Sequence, residues 1–238
     1  MRSMRAVELL GVYSLPEAEK LTGVSARKLK RWLFGYSYSV NSADEPAEHS
    51  SPPLWQGQYK PDDFHECVVG FRDLLEARVV GEFVKAGVPL IVVRSCLEYA
   101  REQFGIEYPF TTHQFLTDGK TIYREALKRN AEDPALLNLK SRQYAFDAVI
   151  RPSLYAGIEY TGRVARRWFP EHSKKKSVVL DPTVAFGKPH IVDLGVPTDA
   201  IYSTYLAEEK NAARTAQLFE ISKRQVDSAV KFEERLAA

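Results

Sequence analysis

A chain of 238 residues, 45% of them hydrophobic, is long enough for one large core or for two or three small ones, and its composition is that of an ordinary soluble protein. The formal charge of +2 and pI near 8.4 are too mild to establish a polyanion partner by themselves. No stretch approaches the roughly 18 apolar residues of a membrane span, and MRSMRAVELLGVYSL holds too short an apolar run for a signal peptide, so the cytoplasm is the expected location and no membrane is expected as a partner. Cys67 and Cys96 lack metal spacing and fall in apolar helical patterns, as expected of reduced core thiols.

Charge is unevenly placed. Residues 1–40 hold seven Lys or Arg against three Glu, residues 163–176 hold six against Glu171 alone, and 41–62 are net acidic. In chain order, Ser14 and Glu17 form a capping box, which predicts a helix from Leu15 to about Thr22. Gly23 turns the chain, and Ser25 is expected to cap a second helix from Ala26 to about Phe34. That helix turns Leu29, Trp32 and Leu33 inward and Arg27, Lys28, Lys30 and Arg31 outward. Gly35 to Val40 alternates like a strand, a polar Pro- and Ser-rich loop follows, and Leu54 to Tyr59 is expected to pair back as the second strand of a hairpin, placed like a wing. Beyond Pro61, Phe71, Leu74, Leu75, Val79 and Phe83 recur at helical spacing. Gly87-Val-Pro89 then breaks the pattern before a helix from Leu90 to about Phe104, which completes the first core.

Further on, 130–138 is weakly helical and 141–155 is strand-like with Pro152 as a stop. Short β runs at 160–170, 177–182 and 189–192 are set off by Pro, Gly and the Lys174, Lys175, Lys176 patch. From Pro197 the chain is helical: about Thr198 to Ala207, Ala212 to Phe219 and Ser222 to Leu236, with Ser222 and Gln225 as a second capping box.

The two ends spell out the same element. Val24 and Ile221 sit at a turn, each is followed by Ser, and apolar residues recur five and eight positions later, at Leu29 and Trp32 and at Val226 and Ala229. A helix-turn-helix needs this arrangement, because the turn hydrophobe and one face of the second helix pack on the first while the outer face stays free for a groove. In such a unit Arg27 and Lys28 are placed for base edges, Lys30 and Arg31 for phosphates, and the Ser25 backbone amide for a phosphate. The second copy is less basic. Lys223, Arg224 and Lys231 mix with Asp227, Glu233 and Glu234, so it suits DNA contact or dimer formation, with Tyr202, Tyr205 and Phe232 available for a two-fold interface. Arg163, Arg166 and Arg167 with Lys174, Lys175 and Lys176 form a second basic patch, read as a solvated loop, as phosphate contacts or as a protein-binding surface. His49, His65, His113, His172 and His190 are scattered, and there is no nucleophile elbow or phosphate-cradling loop, so neither an enzyme nor a cofactor or metal site is expected. Gly187-Lys-Pro189 reads as a tight turn.

The start YSLPEAEKLTGVSARKLKRW, followed by FRDLLEARVVGEFVKAGVPLIVVRSCLEYAR, resembles the DNA-binding domain of MerR-type regulators. It departs at Glu19, where helix contact favours Ala; either the helix pair is rotated or Glu19 reaches solvent, and Ala216 fills the matching place in the second copy. From Val178 the chain resembles the domain of unknown function 433, through VLDP at 179–182, AFGKP at 185–189 and GVPT at 195–198. That domain looks like one found in VapB-type antitoxins of type II toxin-antitoxin systems, encoded beside PIN-like ribonuclease toxins. The resemblance implies a cognate toxin and operator DNA as partners, a homodimer, and the 163–176 patch as a surface for the toxin's carboxylates. A stand-alone MerR-like transcriptional regulator responding to a small molecule is the second reading, against which the lack of a sustained heptad counts. A scaffold whose two helix-turn-helices are only structural is a third.

The expected architecture is mainly α with short β-strands (α+β). Residues 1–105 form a winged helix-turn-helix domain, 106–177 an unassigned connecting region, and 178–238 a domain whose short strands precede a three-helix helix-turn-helix head.

Overall fold

A computed structural model describes residues 11–41, 46–130, 155, 157–170 and 176–237. The fold is α+β: helices separated by short antiparallel strand pairs. It divides into two compact units, one of residues 14–155 and one that joins residues 1–13 to 156–238.

The short strand β1 (Tyr13–Ser14) leads into the 14–155 unit, where α1 (Leu15–Thr22) and α2 (Ala26–Phe34) start and stop where the sequence places them. The Ser14 side chain accepts from the Glu17 backbone N–H while Glu17 accepts from Ser14, and Gly23 ends α1 in the left-handed region at φ 70°. Val24, Leu29, Trp32 and Leu33 are buried, as is Ala18 of α1. The hairpin after α2 consists of β2 (Tyr36–Asn41) and β3 (Pro46–Ser51), in register from Tyr36 opposite Ser51 to Asn41 opposite Pro46. This corrects the expected second strand at 54–59: the polar segment pairs, and Leu54 and Trp55 go into the core instead. Gly35 permits the closure, with φ 73° and no room for a Cβ, which would lie 2.7 Å from the Ser51 carbonyl oxygen.

Cys67 lies outside any helix, just before the short strand β4 (Val68–Val69), and is half-buried, which corrects its expected helical core position; Cys96 is fully buried in a helix as expected. Helix α3 (Phe71–Lys85) runs through the centre of the unit with ten buried residues, packed near α4 (Leu90–Phe104). The unit extends past residue 105. Helix α5 (His113–Arg129), capped by the Thr112 side chain, packs on α4. Its Phe115 and Tyr123 join Phe83 and Phe110 in an aromatic cluster with ring centroids 4.4–6.5 Å apart.

In the other unit, β5 (Ile158–Thr161) pairs with β6 (Val164–Trp168), and β7 (Val178–Val179) with β8 (His190–Ile191). The Gly187-Lys-Pro189 turn precedes β8 as expected. Val12 donates to the Phe186 carbonyl at 3.0 Å and the Tyr13 hydroxyl to that of Gly187 at 2.7 Å, which fastens residues 12 and 13 to this unit. Helices α6 (Thr198–Ala207), α7 (Ala212–Leu218) and α8 (Lys223–Ala237) close it. Phe232 is fully buried in this head, so it is a core residue and not an interface residue; Tyr202 and Tyr205 are half-buried. The expected elements at 131–138 and 141–154 lie outside the described residues.

The second two-helix element repeats the first with one costly difference. Where Gly23 turns the first, Glu220 turns the second at φ 55°. A side chain in the left-handed region costs about 1 to 2 kcal/mol, and Glu220 is exposed. Glu220→Gly is therefore expected to stabilise this unit by about 1 kcal/mol, because the relief of strain exceeds the entropy a glycine adds to the unfolded chain. Chemical denaturation checks it, and an unchanged or lower midpoint contradicts it.

Candidate nucleic-acid interface

Helix α2 presents Arg27, Lys28, Lys30 and Arg31 to solvent while Leu29, Trp32 and Leu33 anchor its other face. Among the described residues no carboxylate pairs with any of the four. The Arg31 guanidinium lies 4.0 Å from the ring centroid of Tyr36 at the start of the hairpin, a cation–π contact that ties α2 to β2. On the hairpin, Tyr38 stacks on His49 at 5.5 Å. Beside α2 lies a surface cavity of about 230 Å³, whose apolar floor is Trp32, Val84, Val88 and Leu90 and whose rim carries Lys28, Arg31 and Tyr36.

The start of α2 differs from expectation. Ser25 is the N-cap residue, but its side chain makes no cap hydrogen bond. The acceptor is Glu19 of α1, whose Oε2 receives the Ala26 backbone N–H at 2.9 Å. The departure at Glu19 is thus a cap supplied by the neighbouring helix: its exposed carboxylate bends over the turn to the first amide of α2.

A buried polar hub holds the segment that follows the hairpin. Asp73 of α3 accepts from the Trp55 indole at 2.8 Å, from the Gln58 backbone at 2.9 Å and from the Gly70 backbone at 3.1 Å. Arg94 donates to the carbonyls of Pro52 and Pro53 at 2.7 and 2.6 Å, and the Tyr108 hydroxyl to that of Gln56 at 3.1 Å. The Leu54 N–H reaches the Trp32 carbonyl at 2.8 Å, so the segment is fixed to α2 itself. One turn beyond Asp73, Glu76 is fully buried. It accepts the Phe110 N–H at 3.1 Å, and among the described residues its Oε2 meets no hydrogen-bond partner. Burial raises the Asp73 carboxyl against the lowering effect of its donors, and pushes Glu76 up to about 8. Desolvation, reinforced by Asp73, also raises the Tyr108 phenol. Sequence reading did not single out this pair; the signal was two acids, three apart, flanked by the Leu74–Leu75 and Val79–Val80 pairs on the apolar side of the helix.

On α8, Lys223 and Arg224 are exposed, and the helix start carries the Ser222–Gln225 box, with Ser222 N–H to Gln225 Oε1 at 2.8 Å. In the second basic patch Arg163 and Arg166 are exposed. Arg167 and Lys176 are both paired with Glu159, at 2.8 and 2.7 Å, so one carboxylate offsets one of these two charges. Those contacts, Lys176 first, hold the Glu159 carboxyl below the usual range. Lys174 and Lys175 lie outside the described residues. Helix α2 thus brings its four cations together on one face, and they are remote in sequence from both other cationic sets. Among the described residues no group of three or more His, Cys, Asp or Glu is placed to hold a metal, and no helix is long and apolar enough to cross a membrane. His190 is buried, its Nδ1 within 2.8 Å of the Lys188 carbonyl oxygen, and serves packing.

No protein-family model matches the chain, and no curated protein is similar enough to match it. The crystal structure of Rv2018 from Mycobacterium tuberculosis is similar at 19% identity, over 92% of this chain and 96% of that one, with a TM-score of 0.65. That likeness is one of fold.

Proposed function

We propose that this protein is an antitoxin without catalytic activity that binds and neutralises a cognate PIN-like ribonuclease toxin and represses its own operon as a DNA-bound dimer. The observation that carries the DNA half is the α2 face: four exposed cations, none paired with an acid among the described residues, on a short helix fixed from behind by Leu29, Trp32 and Leu33. In this reading the element 15–34 is a helix-turn-helix, α2 enters the major groove with Arg27 and Lys28 at base edges and Lys30 and Arg31 at phosphates, and the β2–β3 hairpin is the wing. Lys223 and Arg224 offer a second, weaker DNA contact. The antitoxin half rests on the sequence resemblance over 179–198, with the exposed Arg163 and Arg166 and, from the sequence, Lys174 and Lys175 as cations to meet a toxin's acidic site.

Coexpression with the product of the adjacent gene, followed by size exclusion and a ribonuclease assay, tests it. A stable complex with suppressed nuclease activity is expected; a neighbour that neither co-elutes nor loses activity contradicts the antitoxin role.

A regulator responding to a small molecule has one observation in its favour, the cavity of about 230 Å³ beside α2. Its rim shares Lys28 and Arg31 with the DNA face, so an occupant there would compete with duplex.

A further inference from the structure

Two elements of this chain share one backbone plan but carry opposite electrostatics where the second helix begins. In the C-terminal element the box is neutral, built from the Ser222 hydroxyl and the Gln225 amide, and Ala216 is buried at the position that matches Glu19. In the N-terminal element the Ser25 hydroxyl is not used, and the Glu19 carboxylate sits on the first amide at 2.9 Å. That carboxylate is exposed, and the exposed side chains of Arg27 and Lys28, which pair with no acid among the described residues, follow within the same turn.

We propose that Glu19 is a specificity-determining residue that suppresses sequence-independent DNA binding by α2; the proposal rests on the reading of α2 as a DNA-binding helix. The start of a helix favours anions, since its free amides and its dipole both favour negative charge. Here an internal carboxylate has taken that position, so a backbone phosphate arriving at Ala26 meets a filled donor and a like charge. The remaining cations are on side chains. In a non-specific complex the surface settles wherever phosphates are best neutralised, and this discourages settling on the helix terminus. In a specific complex base contacts by Arg27 and Lys28 fix the register, and the terminus faces the groove instead of the backbone, so Glu19 costs less. Its effect is on the ratio of the two.

Glu19→Gln separates the charge from the cap, because the Gln carbonyl still accepts the Ala26 N–H. Full-length wild type and Glu19→Gln are compared by fluorescence anisotropy on a duplex unrelated to the protein's own upstream region, between 50 and 200 mM salt. The variant is expected to bind this duplex several-fold more tightly at the lower salt, and its log K against log salt slope is expected to steepen by about 0.9, the increment of one more phosphate contact. The same change is expected to be smaller on the upstream duplex. In a second readout without DNA, inorganic phosphate is expected to raise the melting temperature of Glu19→Gln more than that of wild type. Circular dichroism establishes that both are equally helical, and Glu19→Ala, which removes cap and charge together, is expected to repeat the slope change if α2 stays folded. If wild type binds DNA and Glu19→Gln leaves affinity, slope and phosphate response unchanged, the role of Glu19 is wrong while the DNA reading stands. If neither protein binds any duplex, the DNA reading fails and takes this inference with it.

Discussion

The double variant Lys30→Ala/Arg31→Ala is expected to lose DNA affinity on every sequence by roughly 30-fold at low salt, about 1 kcal/mol for each charge-assisted phosphate contact. Its salt slope is expected to flatten by about 2, one unit for each phosphate no longer neutralised. Both side chains are exposed on α2, and Arg31 also stacks over Tyr36 at 4.0 Å, so its loss frees the base of the hairpin as well. Arg27→Ala should behave differently. It is expected to cost about 1 to 3 kcal/mol on the preferred sequence, to relax selection at one base pair and to leave non-specific binding nearly intact. Equal losses on specific and unrelated duplexes for Arg27→Ala and Arg31→Ala would contradict this division of labour.

Glu76→Gln is expected to produce the largest change in stability, and one that depends on pH. The Glu76 carboxyl is raised from 4.5 to about 8 in the folded protein. Between those values the folded state holds a proton that the unfolded chain has released, so stability is fully present below about 4.5 and falls as pH rises, by about 1.4 kcal/mol per unit where both conditions hold. Asp73 is shifted in the same direction and adds to the slope. The amide introduced by Glu76→Gln has no such proton to exchange. The variant is therefore expected to match wild type near pH 5, to exceed it by a few kcal/mol at pH 8, and to show a flatter dependence in denaturant titrations. Wild-type stability that is constant from pH 5 to 8, or a variant no more stable than wild type at pH 8, contradicts the buried, protonated state of Glu76.

What sequence could and could not reveal follows from where each element gets its stability. Helices α1 and α2 were legible to the residue because their signals are local: the Ser14–Glu17 box, Gly23 in the left-handed turn, and Leu29 and Trp32 on one face. The α6–α8 head was legible for the same reasons. Helix α5 was not read, because Gly119 and two threonines dilute its pattern, although the Thr112 cap and the 115, 122, 126 spacing were there to find. The second strand of the hairpin was misplaced because apolar Leu54 and Trp55 look like a strand. They are claimed instead by tertiary contacts, the Asp73 carboxylate on the indole and the Trp32 carbonyl on the Leu54 amide. Of the site, the outward placement of Arg27, Lys28, Lys30 and Arg31 was legible from helical spacing alone. The Glu19 cap was not, because a contact seven residues away across a turn leaves no periodic trace.

The central claim is that the cationic side of α2 meets a duplex. Anisotropy of the full-length protein on a fluorescent duplex from its own upstream region, beside an unrelated duplex of equal length and at 50 and 200 mM salt, tests it most directly. Tighter binding to the upstream duplex, with affinity for both falling steeply between the two salt concentrations, is the predicted result. Binding that is absent, or that is equal on both duplexes and indifferent to salt, would contradict it.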